Sequence, residues 1–290
     1  MTEFFGTPIG RYALVLVQVV SGLLFFWLAQ RLYQLLFRRI PLNEELFVRD
    51  NVAAAVALSG FFLGVLLALS GAATASTLTG LDALRDFFSH AVAVIVFMLL
   101  GALVGDRLIL KRCDCFREIC DHRNLGAGFV EGGTHVANGL LLSSALAGDT
   151  GSWEAGVVCW MAGMVVLWGA ALVYPVVARF DVNGEIRNRN NTAAGIALAG
   201  FLVGIGNILR ISFQGEFSRW QDMLPEYAVT LLFSLLLMAL VRWLADLILV
   251  PGVTLSGEIA EQAVPNAGAG LIEAFCYIAA SFLIGLAFAG

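Results

Sequence analysis

Arg49–Gly64 reads RDNVAAAVALSGFFLG, and Arg189–Gly204 reads RNNTAAGIALAGFLVG. Nine of the sixteen positions are identical at a shift of 140 residues. Asn124–Glu131, NLGAGFVE, returns as Asn266–Glu273, NAGAGLIE, two residues further along. Outside these blocks Asn43 matches Asn183, Glu45 matches Glu185, Asp82 matches Asp222 and Asp106 matches Asp246 at the 140-residue shift. A constant offset kept over so many positions marks a tandem duplication. The expected organisation is one four-helix repeat over residues 1–150 and a second over 151–290, joined by a short segment near Gly148–Trp153.

Composition sets the solvent. The chain is 59% hydrophobic and 13% charged, with a mean hydropathy of +0.85, far from the balance of a water-soluble domain. Apolar runs cover 12–37, 51–73, 87–110, 125–147, 155–178, 191–213, 227–250 and 267–289. Each suffices to cross a hydrocarbon core of ~30 Å as a helix. Lipid offers no partner to backbone N–H and C=O groups, so these runs are predicted to be α-helices. The first run exceeds a signal-peptide core and is read as the first span. The fold class expected is an all-α integral membrane protein of eight transmembrane helices. Four helices per repeat give both copies the same orientation, hence two parallel repeats about a pseudo-twofold axis along the membrane normal.

Basic residues orient the chain. The first, third, fifth and seventh connections carry thirteen Lys and Arg residues, against four elsewhere. That bias places these connections in the cytoplasm and both termini on the outer side of the membrane. The net charge of −5 gives no reason to expect a nucleic-acid partner; the lipid bilayer is the expected environment, with a homo-oligomer left open.

Polar residues inside the spans carry the functional reading. Asn124, Gly128, Glu131, His135 and Asn138 share one helical face; Asn266, Gly270, Glu273 and Tyr277 occupy the corresponding face of the second copy. An ionised carboxylate facing lipid is costly, so Glu131 and Glu273 should face protein, water or a cation. Two readings stand: a pair of carboxylates lining an ion or solute path, with Asn124 and Asn266 at its inner mouth and His135 as a proton partner, or protonated side chains that tie helices together. Gly60, Gly64, Gly200 and Gly204 form small-residue stripes that let backbones approach closely. Asp106 and Asp246 fall near the cytoplasmic ends of the third helices, as salt-bridge partners of Arg107 and Arg242 or as a vestibule. Asn51 and Asn191 are read as helix N-caps, and Arg210 as a residue that snorkels to the outer surface.

Cys113, Cys115, Cys120 and His122 occur only in the first copy. Their side chains suit zinc or copper, but their spacing is not that of a zinc finger, and ordinary reduced cysteines are the favoured reading. No cofactor is otherwise expected. No Walker loop, dinucleotide fingerprint or helical His-Glu-x-x-His is present, so no enzymatic activity is expected.

The doubled pattern Asn51-x-Ala53-Ala54, Ala57-Leu58-x-Gly60-Phe61 and Gly64, followed by Asn124-x-Gly126-Ala127-Gly128-x-x-Glu131, resembles the domain of unknown function 350 family of bacterial inner-membrane proteins over nearly the whole chain. The resemblance implies that two four-helix copies assemble as a pair, fused here. It also implies company with envelope-stress proteins of the phage-shock type and ATP-grasp ligases. It brings no catalytic residue and no substrate. The leading expectation is therefore a channel or transporter for protons, small cations or a small cationic solute. The alternative is a membrane scaffold that recruits a cytoplasmic partner through 111–123 and 37–50.

Overall fold

The computed structural model describes residues 7–37, 41–75, 80–109, 117–146, 153–214, 220–248 and 252–288, and every described element is helical. In chain order these are α1 (Pro8–Leu36), α2 (Leu42–Phe47), α3 (Val52–Ala75), α4 (Gly80–Leu108), a π-helical turn π1 (Arg117–Asp121), α5 (Leu125–Ala145), α6 (Trp153–Ala178), α7 (Val182–Arg189), α8 (Thr192–Ser212), α9 (Trp220–Ile248), a second π-helical turn π2 (Gly257–Glu261) and α10 (Ala267–Phe288). Among the described residues seven helices are long and apolar enough to cross a membrane: α1, α3, α4, α6, α8, α9 and α10. The remaining long helix, α5, has 21 residues but carries Glu131, Thr134, His135 and Asn138 among five glycines. Those residues lower its hydropathy, and α5 and α8 are the helices most enclosed by their neighbours.

Four helices form a central row in the order α3, α5, α8, α10, and the most extensive packing in the molecule lies between successive members. All four run parallel. Gly60, Gly64 and Gly71 of α3 meet Gly132, His135 and Ser143 of α5 in ascending order, and Gly195 and Gly206 of α8 meet Gly126 and Ala137 of α5 likewise. At Gly60, Gly133 and Gly200 an added Cβ would overlap the facing helix, so glycine is what allows these backbones to touch. The expected packing role of Gly60, Gly64, Gly200 and Gly204 is thereby located at the α3–α5 and α8–α10 joints. Helices α1, α4, α6 and α9 pack along the row with large apolar residues such as Leu24, Val96, Val165 and Leu236 exposed.

The row differs from the expected pseudo-twofold arrangement. A twofold axis that packs α5 on α8 would also pack α10 on α3 to the same extent. Among the described residues α10 and α3 share no comparable contact. The repeats therefore meet head to tail, as successive members of a row. At the free edge Phe275, 68% exposed, stands nine residues after its N-cap, where Gly60, Gly133 and Gly200 stand in the other helices.

A recurring latch explains the common register at one end of the row. Asn51, Asn124, Asn191 and Asn266 each accept backbone N–H groups of the following helix at the side-chain oxygen. The side-chain nitrogen of each donates to a glutamate upstream: Glu45 at 2.8 Å, Glu118 at 3.0 Å, Glu185 at 2.7 Å and Glu258 at 3.1 Å. For the first three, the same nitrogen also donates to the carbonyl after the next glutamate along the row, Ile119, Ile186 and Ile259 in turn, at 2.7–2.8 Å. The residue before the asparagine is left-handed at Asp50, Arg123 and Asn190, turning the chain into the helix. Four parallel helices bring their positive dipole ends together, and the four carboxylates offset that charge. The 140-residue duplication is thus a double copy of a unit about half that length.

Candidate functional site

In the first third of α5 and of α10 the two carboxylates singled out from the sequence sit in matching aromatic surroundings. Glu131 lies beside His135, whose ring packs edge-on against Tyr33 of α1 and Phe61 of α3, with centroids 6.0 and 5.4 Å away. In the second repeat Tyr277 takes the place of His135 and packs against Tyr174 of α6 and Phe201 of α8, at 6.3 and 5.0 Å. Both sites are closed: Glu131 is 6% exposed and Glu273 0%.

Their electrostatics differ. Glu273 accepts from Nε of Arg242 at 3.0 Å and from the Tyr174 hydroxyl at 3.0 Å. Arg242 also pairs with Asp246 at 2.7 Å and donates to Ser256 at 3.1 Å, whose hydroxyl donates to the Ala178 carbonyl. Glu273 is thus held by a guanidinium and a hydroxyl in a network joining α6, α9, α10 and the segment before π2. At the position matching Arg242, 140 residues earlier, the first repeat has Ala102 in the core. Glu131 has instead His135 Nε2, 3.2 Å from its Oε1. That contact is close but not aligned as a hydrogen bond, and His135 Nδ1 is buried without a partner. An imidazole and a carboxylate together carry a net charge of −1, 0 or +1 according to whether they hold no, one or two titratable protons, whereas a guanidinium does not titrate.

The other sequence-derived residues fall into place around this pair. Asn124 and Asn266, expected at an inner mouth, are the capping latches described above. Asn138 accepts from the Trp160 indole at 2.9 Å and donates to the Phe97 carbonyl at 3.4 Å, tying α5 to α4 and α6. Asp246 holds Arg242 and the Leu255 N–H; Asp106 lies half-buried near the end of α4. Arg210 donates to Asn207 on its own helix at 2.8 Å, and Asn207 in turn donates to Ser281. The Arg242–Glu273 bond was not legible: Arg242 invited a local pairing with Asp246, and only the packing of α9 on α10 brings it to Glu273.

Of the cysteine-bearing segment, Cys113 and Cys115 lie outside the described residues. Cys120 is buried in π1, and His122 Nδ1 lies 3.3 Å from Glu118. Among the described residues no cluster of three metal-binding side chains occurs. Burial, and then the nearby carboxylates of Glu45 and Asp121, push the Cys120 thiol up to about 12, with Arg49 opposing. At pH 8 this thiol is almost wholly protonated, and its alkylation in folded protein should be on the order of 100-fold slower than in unfolded chain. Peptide mapping after a timed iodoacetamide pulse checks this; equal rates would mean π1 is open.

Seven apolar spans, a parallel row of interlocked helices and polar groups confined to its interior and one end define an integral, multi-pass membrane protein. The model of the Domain of Unknown Function (DUF350) family matches residues 7–146 and again 150–288, and the chain belongs to that family. It is also similar to a "UPF0719 transmembrane protein" of Aquifex aeolicus (strain VF5), 25% identical over 281 residues, covering 91% of this chain and 98% of that protein. No solved structure matches.

Proposed function

We propose that this is a proton-coupled membrane transporter or channel of the bacterial inner membrane, with Glu131 and His135 as the proton-binding site of the first repeat. In this reading α5 is the eighth span, the latch end faces the cytoplasm, and both termini lie outside. The observation that carries it is the contrast between the two glutamates. A buried ionisable group in a membrane is costly and is retained where it does work. Glu273 has Arg242 to compensate it; among the described residues Glu131 pairs with a histidine instead, at the same depth and in a like aromatic surround. The paired glutamates are thus unequal: Glu131 exchanges protons, while Glu273 anchors its half of the bundle. The alternative, recruitment of a cytoplasmic partner, draws on 111–123, of which 117–123 is described, and no contact there favours it over proton exchange.

In liposomes holding purified protein, Glu131→Gln should abolish proton flux, whereas Glu273→Gln, if folded, should retain it. Ala102→Arg supplies to Glu131 the cation that Glu273 already has, and should also bring flux to background. Full flux in folded Glu131→Gln would overturn the reading.

A further inference from the structure

The chain has three histidines, and each lies next to a carboxylate four residues before it. His90 Nδ1 is 3.2 Å from Asp86, His122 Nδ1 is 3.3 Å from Glu118, and His135 Nε2 is 3.2 Å from Glu131. All three pairs belong to the first repeat. The second repeat keeps an acid at every matching position, Glu226, Glu258 and Glu273, but has Thr230, Gln262 and Tyr277 in place of the histidines. Carboxylates are common to both halves; titratable pairs are confined to one.

The three pairs occupy three levels. His122 and Glu118 stand at the latch end, with His122 45% exposed and Glu118 bonded to Asn124, the cap of α5. Glu131 lies seven residues beyond that cap, about 10 Å along the helix axis. Helix α4 runs against α5, with Gly105 beside Thr134 and Gly101 beside Asn138. His90 lies eleven residues from Gly101 toward the opposite membrane face, about 16 Å. There it stacks on Trp153 at 4.8 Å.

We propose that Asp86–His90 and Glu118–His122 are the outer and cytoplasmic proton ports of the site at Glu131–His135. This rests on the proton-exchange reading of Glu131 and adds where protons enter and leave. At the outer port His90 Nδ1 sits 2.8 Å from the Asp86 carbonyl, which only accepts, so Nδ1 carries the hydrogen and Nε2 is the atom that takes up a proton. Its neighbours are Asp86 on α4 and Trp153 on α6. At the cytoplasmic port Glu118 is held by Asn124 and His122, while Glu45 of α2 and Arg49 just after it lie with Asp121 around the adjacent Cys120. The central pair is faced by Tyr33 of α1 and Phe61 of α3. One proton binds at one port, passes to Glu131–His135 and leaves at the other, with no bond but O–H and N–H made or broken. The spans between stations exceed one hydrogen bond and the central pair is closed in this structure, so the transfer requires water to enter from each port.

The test is proton flux in oriented proteoliposomes, with pH varied on one side at a time, for His90→Thr and His122→Gln, each the second repeat's own residue. Each variant should lower flux at least about tenfold and remove its dependence on pH at that variant's side only. Asp86→Asn should reproduce the outer effect, and Glu226→Gln should leave flux unchanged. Wild-type flux and pH profiles in His90→Thr and His122→Gln, with flux still lost in Glu131→Gln, would overturn the ports and leave the central site standing. No flux from folded wild-type protein would overturn both.

Discussion

Arg242→Ala is expected to destabilise the folded protein by about 3–5 kcal/mol, the cost of leaving a buried charge without its partner. The guanidinium bonds Glu273, Asp246 and Ser256 at once, so its loss strands a fully buried carboxylate and loosens α9 from α10. The double variant Arg242→Ala/Glu273→Gln should recover most of that loss, because no buried charge then remains. Unfolding in detergent, followed by circular dichroism, compares the two. A single-variant loss below about 1 kcal/mol, the range of an exposed pair, would mean that water reaches Glu273.

Gly195→Val should be nearly as damaging, for a steric reason. A Cβ at Gly195 would overlap the backbone of Gly126, where the first repeat meets the second. No side chain can swing aside, so α5 and α8 must separate, at about 3 kcal/mol or more. The Asn124 latch to the Ile186 carbonyl at the same joint would stretch with them. Gly169, with nothing within 4 Å of an added Cβ, is the control: Gly169→Val should change stability by about 1 kcal/mol or less. Equal behaviour of the two variants in thermal unfolding would contradict the head-to-tail joint.

The membrane class, the helices and the duplication were legible because hydropathy and a fixed 140-residue offset are linear properties of the chain. The order of the row was not. Gly60, Gly133 and Gly200 announce close packing without saying which helix is approached, and a parallel duplication suits both a twofold and a head-to-tail joint. The half-length unit left a fainter trace: Glu45, Glu118, Glu185 and Glu258, each followed by leucine or isoleucine and six to eight residues later by asparagine. Spacing that varies by two residues escapes a search at constant offset. Glu131 and Glu273 were legible as buried acids, but their inequality lay in Arg242 and Ala102, on helices distant in sequence. Asn124 and Asn266 share a face with the glutamates, which suggested a common path; their position at helix starts makes them caps instead.

The central claim is that Glu131 gains and loses a proton while Glu273 stays ionised. Infrared difference spectroscopy of the carboxylic C=O stretch, between about pH 5 and 9 to cover histidine-coupled titration, reads this directly in protein reconstituted in lipid. The expected result is a pH-dependent band that disappears in Glu131→Gln and persists in Glu273→Gln. A band that survives Glu131→Gln and disappears in Glu273→Gln would contradict it.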